Sequence, residues 1–122
     1  MTQTEASDAL RAREPIFHRP ELGTARADIE RMIDGGFWEV GASGRAYDRR
    51  FVLDNLERRY ATPHADPWEV SEFVCRRLEG SIFLVTYLLR QGPRLSRRST
   101  LWRYAGDWQA LYHQGTLVES DA

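Results

Sequence analysis

The sequence predicts a single α+β domain with helices gathered on one face of an antiparallel sheet. Three observations carry the prediction. The front half of the chain holds apolar residues at helical spacing, among them Ile29, Met32 and Ile33, and again Val52, Leu56 and Tyr60. The back half holds four strand-like segments in close succession, separated by short turns containing glycine. The segment Ile82–Leu89 is apolar on both of its faces, so each face needs a cover. Helices first and strands after is the order of an α+β fold.

The first helix is expected from about Glu5 to His18, capped by Thr4 or Ser7, with Leu10 and Phe17 on one face and a kink or division at Pro15. Thr24 can cap a second, short helix running through Ile33, which Gly35 and Gly36 terminate. Phe37 to Val40 reads as a short strand, Gly41 to Gly44 as a turn, and Arg45 to Tyr47 as the returning strand. Asp48 then caps a third helix that ends at Thr62-Pro63. The four later strands are placed at about 68–78, 81–91, 94–104 and 108–117, with hairpin turns at Glu79-Gly80, Gly92-Pro93 and Ala105-Gly106-Asp107.

Composition bounds the function. A chain of 122 residues fits one domain, with an ordered core expected from about 8 to 118. At this size about two thirds of the unfolded surface is buried, enough for one core. The net charge of −1 gives no basic excess, which argues against nucleic-acid and membrane partners. All 17 basic residues are arginine, so lysine Schiff-base chemistry is excluded, and planar bidentate contacts are favoured. Cys75 is the only cysteine and lies in an apolar stretch, which excludes an intrachain disulfide and favours an inert thiol. The polar N-terminus resembles no secretory signal, and a cytoplasmic location is expected. His18, His64 and His113 lack the spacing of a metal site, and neither metal nor cofactor is expected.

Two local signatures suggest a family. One is Phe37-Trp38-Glu39-Val40-Gly41-Ala42-Ser43-Gly44-Arg45. The other is Arg98-Ser99-Thr100-Leu101-Trp102-Arg103, followed by Trp108 and His113-Gln114-Gly115-Thr116. With three helices ahead of a long meander, the chain resembles the nuclear-transport-factor-2-like superfamily, which includes ketosteroid isomerase-like and SnoaL-like proteins. Within it, the signatures look like those of small bacterial proteins of unknown function. The resemblance spans about Leu10 to Val118. It implies a cone-shaped half-barrel, three N-terminal helices packed on a curved antiparallel sheet, a pocket between them, and commonly a dimer through the sheet. It implies no particular reaction, because this fold hosts isomerases, dehydratases, hydrolases and pure binding modules.

Candidate residues follow. Glu39 stands in the region where ketosteroid isomerase-like members carry a proton-abstracting carboxylate, and its aromatic neighbours would raise its pKa by desolvation. The alternative is a structural role, bonded to the Ala42–Arg45 turn or paired with Arg45. His113 and Gln114 point to opposite faces of the last strand, so only one of them faces a pocket. His113 is the better base or donor. Trp38, Tyr47, Tyr87 and Trp102, with Gln114, are the expected pocket wall, although aromatics fill the core of any small domain. Arg97, Arg98 and Arg103, with Arg76, Arg77 and Arg90, either hold an anion or pair with Glu72 and Glu79 across strands.

The expected function is binding of an unknown small molecule. One alternative is an isomerase or lyase using Glu39 as base on a small apolar carbonyl compound, with Tyr87 or His113 at the oxyanion. Another is a dimerisation or interaction module whose pocket is vestigial. The expected partner is a second copy of the chain. Phe83, Val85, Tyr87 and Leu89 should face the helices, leaving Ile82, Leu84, Thr86 and Leu88 on the convex face, with Leu84 and Leu88 central to a two-fold contact.

Overall fold

The computed structural model describes residues 1–119. Its elements in chain order are α1 (Gln3–Arg11), a 3-10 turn (Pro20–Leu22), α2 (Arg26–Met32), β1 (Ile33–Val40), β2 (Ala46–Asp48), α3 (Arg49–Ala61), β3 (Glu69–Glu79), β4 (Ile82–Gln91), β5 (Arg94–Tyr104) and β6 (Trp108–Leu117). The six strands form one open sheet in the order β2-β1-β6-β5-β4-β3.

Local chemistry accounts for the helix ends. Thr2, not Thr4 or Ser7, caps α1: its hydroxyl accepts from the Glu5 amide at 3.0 Å, while the Glu5 carboxylate accepts from the Thr2 amide at 3.1 Å. This capping box starts the helix earlier than expected. The helix also stops at Arg11, so Pro15 neither kinks nor divides it and falls in the irregular segment beyond. Asp48 caps α3 as expected, accepting from the Phe51 amide at 2.8 Å.

The largest departure concerns β1. The pair Gly35-Gly36 does not end a helix; it lies inside the strand, which begins at Ile33 directly after α2. This strand runs parallel to β6, with Trp38 opposite Tyr112, Glu39 opposite His113 and Val40 opposite Gln114. The sheet is therefore mixed. Its four C-terminal strands form the expected antiparallel meander, and β1 with its short partner β2 closes onto the far edge.

Helices cover one face of the sheet: α1 packs on β3, α2 on β1 and β6, and α3 on β1 and β2. The core lies between the layers. Phe83, Val85, Tyr87 and Leu89 of β4 point into it and are buried, whereas Ile82, Leu84, Thr86 and Leu88 are half-buried on the other face. The period-two burial along β4 assigns its faces as the sequence predicts. Cys75 is buried, and burial raises its pKa, which keeps the thiol protonated. Among the described residues, no helix is long and apolar enough to cross a membrane.

Candidate functional site

One row of the sheet builds the floor of a cavity. Glu39 of β1, His113 of β6 and Thr100 of β5 are consecutive cross-strand partners, so their side chains stand side by side on the helix-covered face. The next row brings Arg98 of β5 opposite Gly115 of β6. Gly115 is there for space: a Cβ at that position would lie 3.1 Å from Arg98 Nε and 3.2 Å from its Cδ. The long side chain of Arg98 therefore folds over the backbone of β6 and reaches inward. The helices supply Asn55 and Arg59 from α3 and His18 from the segment after α1, and Arg94 closes the end at the β4–β5 turn. The space so enclosed is about 340 Å³, at the lower end of the range for small-molecule sites.

Its electrostatics are those of an anion site. Arg59, Arg94 and Arg98 all line the cavity, and among the described residues none has a carboxylate within ion-pair distance. Arg98 is sufficiently enclosed that burial lowers its pKa. Both lining histidines are pushed toward the neutral form. Burial, then the nearby Arg98 and His18, pull His113 down to about 3. His18 is lowered as well, chiefly by burial. The one lining carboxylate is Glu39, which burial raises while Arg98 and Arg59 oppose the shift.

Behind this floor lies a buried carboxylate. Glu14 is 1% exposed, and its oxygens accept hydrogen bonds from the Ile16 amide at 2.7 Å, the Tyr87 hydroxyl at 2.9 Å and the Trp102 indole at 3.0 Å. An arginine guanidinium only donates, so His113 Nε2, 3.4 Å from Arg98 Nη1, is the acceptor of that pair. The ring proton is then on Nδ1, which donates to Thr100 Oγ1 at 2.8 Å. Thr100 thus holds the His113 ring that faces the Arg98 guanidinium from behind.

A second pair stands at the cavity wall. His18 Nδ1 is 2.6 Å from Asp66 Oδ2. Phe17, just before it, has φ of 71°, a left-handed conformation rare outside glycine. Its carbonyl accepts from the Tyr60 hydroxyl at 2.5 Å and from the Arg59 guanidinium, which fixes the turn that carries His18.

The residues expected at the site divide accordingly. Glu39 and His113 both line the cavity, and the question of which strand neighbour points inward resolves to His113. Gln114 lies on the opposite face, where it accepts from the Tyr112 hydroxyl at 2.7 Å. Trp38 does not line the cavity: it is 47% exposed and rests on Tyr112 on that same outer face, because the pleat that turns Phe37 and Glu39 inward turns Trp38 outward. Tyr47 stands beside Glu39 across the β1–β2 pair but stacks on Phe51 at 4.5 Å and is not among the residues that line the cavity. Tyr87 and Trp102 are buried, with their polar atoms committed to Glu14 rather than to a ligand. Glu39 makes no ion pair with Arg45, whose guanidinium lies over Tyr47. Arg97 pairs with Glu72 at 3.7 Å on the outer face, so Arg97 and Arg98 serve different sides of the sheet. Sequence reasoning missed Glu14, Arg59, Arg94 and the His18–Asp66 pair. Among the described residues, no three His, Cys, Asp or Glu side chains come together as a metal site requires.

No protein-family model matches the chain, and no curated protein sequence matches it. Solved structures do. A nuclear-transport-factor-2-like protein from Cytophaga hutchinsonii superposes with a TM-score of 0.73 at 11% identity, over 97% of this chain and 100% of that one. A nuclear-transport-factor-2-like protein of unknown function from Silicibacter pomeroyi gives 0.70 at 18% identity, over 97% and 100%. A putative calcium/calmodulin-dependent kinase II association domain from Exiguobacterium sibiricum gives 0.66 at 17%, over 98% and 93%. At these identities the likeness establishes the fold.

Proposed function

From this nuclear-transport-factor-2-like fold and its arginine-lined interior, we propose that the protein binds a small organic anion bearing a carboxylate. One observation carries the reading: three arginines line a cavity of about 340 Å³, and among the described residues none of them pairs with a carboxylate. A half-enclosed charge is costly until it is paired, and the planar fork of arginine matches a carboxylate with two parallel hydrogen bonds. The arginines also argue against an apolar carbonyl compound as the ligand. Glu39, with its raised pKa, remains one group that an isomerase or lyase acting in this cavity would have available for proton transfer.

The test is calorimetric titration with succinate and benzoate, with succinamide as the uncharged control. Binding of the acids, lost in Arg98→Gln and absent for the amide, is the expected result. Equal binding of the amide would overturn the reading.

The domain is also proposed to act as a homodimer through the outer sheet face. Support comes from one apolar row across four strands, Leu84, Leu101, Tyr112 and Trp38, in register. Leu88, expected at the centre, instead neighbours Ser71 and Arg97, which moves the apolar centre toward Leu84 and Leu101.

A further inference from the structure

We propose that His18 and Asp66 form an acid–base pair that moves a proton on an oxo acid held in the arginine-lined cavity. The proposal rests on the anion-binding reading above and extends it from binding to a reaction and a substrate class.

The geometry supplies the base. His18 Nδ1 lies 2.6 Å from Asp66 Oδ2, and a carboxylate in that position accepts the Nδ1 proton and leaves the lone pair on Nε2. Among the described residues Nε2 has no hydrogen-bond partner, yet no fully buried side-chain nitrogen or oxygen lacks one. Nε2 is therefore not sealed off, and His18 is one of the residues that line the cavity. The ring cannot swing freely, because the Phe17 turn ahead of it is pinned by Tyr60 and Arg59 from α3. Asp66 belongs to the loop before β3 and faces a separate outer hollow beside His64 and Arg59, so its other side meets solvent.

The charges around the ring fit the role. Arg59 from α3, Arg94 and Arg98 from β5, His113 from β6 and Glu39 from β1 share the cavity with it, and Asp66 holds it from the loop. Burial, Arg59 and Arg98 favour the uncharged base, while Asp66 favours the imidazolium formed once the proton is taken.

Three guanidinium groups exceed what one carboxylate needs. One can hold the substrate carboxylate and another can face a second oxygen that becomes negative during reaction. A ketone in the same molecule is such a group. In the step, His18 Nε2 takes a proton from the carbon beside the ketone. The C–H electron pair becomes the carbon–carbon double bond of an enolate, and the carbonyl pair moves to the oxygen, facing a guanidinium. The imidazolium then returns a proton to carbon. No oxidant, reductant or co-reactant is consumed, and a proton returned after exchange with solvent labels the substrate.

The experiment follows 2-oxobutyrate, 2-oxoglutarate and 4-oxopentanoate in heavy water by proton NMR, with binding of each measured separately by calorimetry. At least one should lose its C–H signal beside the ketone at least about a hundredfold faster than in buffer. His18→Ala should abolish that exchange while retaining binding, and added imidazole should restore part of it. Asp66→Asn should lower kcat with little change in KM, and the rate should fall on the acid side, below the ordinary imidazole value. Oxo acids that bind through Arg98 but exchange no faster than in buffer would overturn the proposal and leave the anion site standing. Full exchange in His18→Ala would overturn it too, as would binding of succinate and benzoate with no oxo acid bound. If none of these anions binds, the anion-binding reading fails and this proposal falls with it.

Discussion

Gly115 and Arg98 face each other across β6 and β5, and an added Cβ at residue 115 would stand 3.1 Å from Arg98 Nε. The absence of a side chain on one strand thus determines where the guanidinium of the other can lie. Gly115→Ala should displace Arg98 by a few tenths of an ångström and weaken succinate binding about tenfold, or about 1.4 kcal/mol. Gly115→Val should weaken it further. Thermal denaturation should place both variants within about 1 kcal/mol of the parent, because the cost falls on the ligand contact. Unchanged affinity in both variants would remove Arg98 from the binding site.

The carboxylate of Glu14 accepts from donors on both oxygens. An amide has only one accepting oxygen, so Glu14→Gln must set an N–H against the Trp102 indole or against the Ile16 amide and Tyr87. A buried donor left without its acceptor costs about 2–3 kcal/mol, and the urea midpoint should fall accordingly. A variant as stable as the parent would mean that Glu14 is protonated in the native state, the direction in which burial pushes it.

His113 makes stability depend on pH. Its folded pKa, about 3, lies below the ordinary 6.5, so the unfolded chain binds the proton first. The stabilisation is complete above about pH 6.5 and is lost as pH falls toward 3, at up to about 1.4 kcal/mol per pH unit. His18 acts in the same sense. Glu14 and Glu39, both raised, act in the opposite sense as they ionise with rising pH. Denaturant melts of the parent and of His113→Gln between pH 4 and 7 isolate the first contribution: the variant should show a clearly shallower acid slope. An equal slope would mean that His113 is charged in the folded protein.

Leu84 stands at the β4 end of the apolar row on the outer sheet face, next to Leu101. Leu84→Glu should weaken self-association at least about a hundredfold, because a carboxylate would be buried there without a partner. Sedimentation velocity checks this. A monomeric parent, or a variant that dimerises as the parent does, would refute the proposed interface.

What could be read from the chain was local. The hairpin turns, the cap at Asp48 and the alternating faces of β4 each depend on a few consecutive residues, and they lie where expected. Glu39 was within reach because the pleat that buries Phe37 also turns Glu39 inward; the same pleat places Trp38 outside, which an argument from aromatic content alone overlooks. What escaped depends on distant pairs. Asp66 meets His18 across 48 residues, and Trp102 meets Glu14 across 88. No periodicity links such partners. The parallel pairing of β1 with β6 was hidden for the same reason, and the two glycines inside β1 resembled a helix stop.

That parallel pairing also sets a time order on the ribosome. Residues 33–40 emerge early, but their partner strand is not complete until residue 117 has been synthesised. The meander from β3 to β6 can form progressively from neighbouring hairpins, whereas the nascent β1 must wait with one edge unpaired. Closure of this most distant strand pairing is an intrinsically slow step, and an open strand edge is where chains pair wrongly. Because Glu39 and His113 sit on the two strands that meet last, a truncated chain ending before β6 has no binding chamber, and ligand binding by the nascent chain reports completion of the fold rather than its onset.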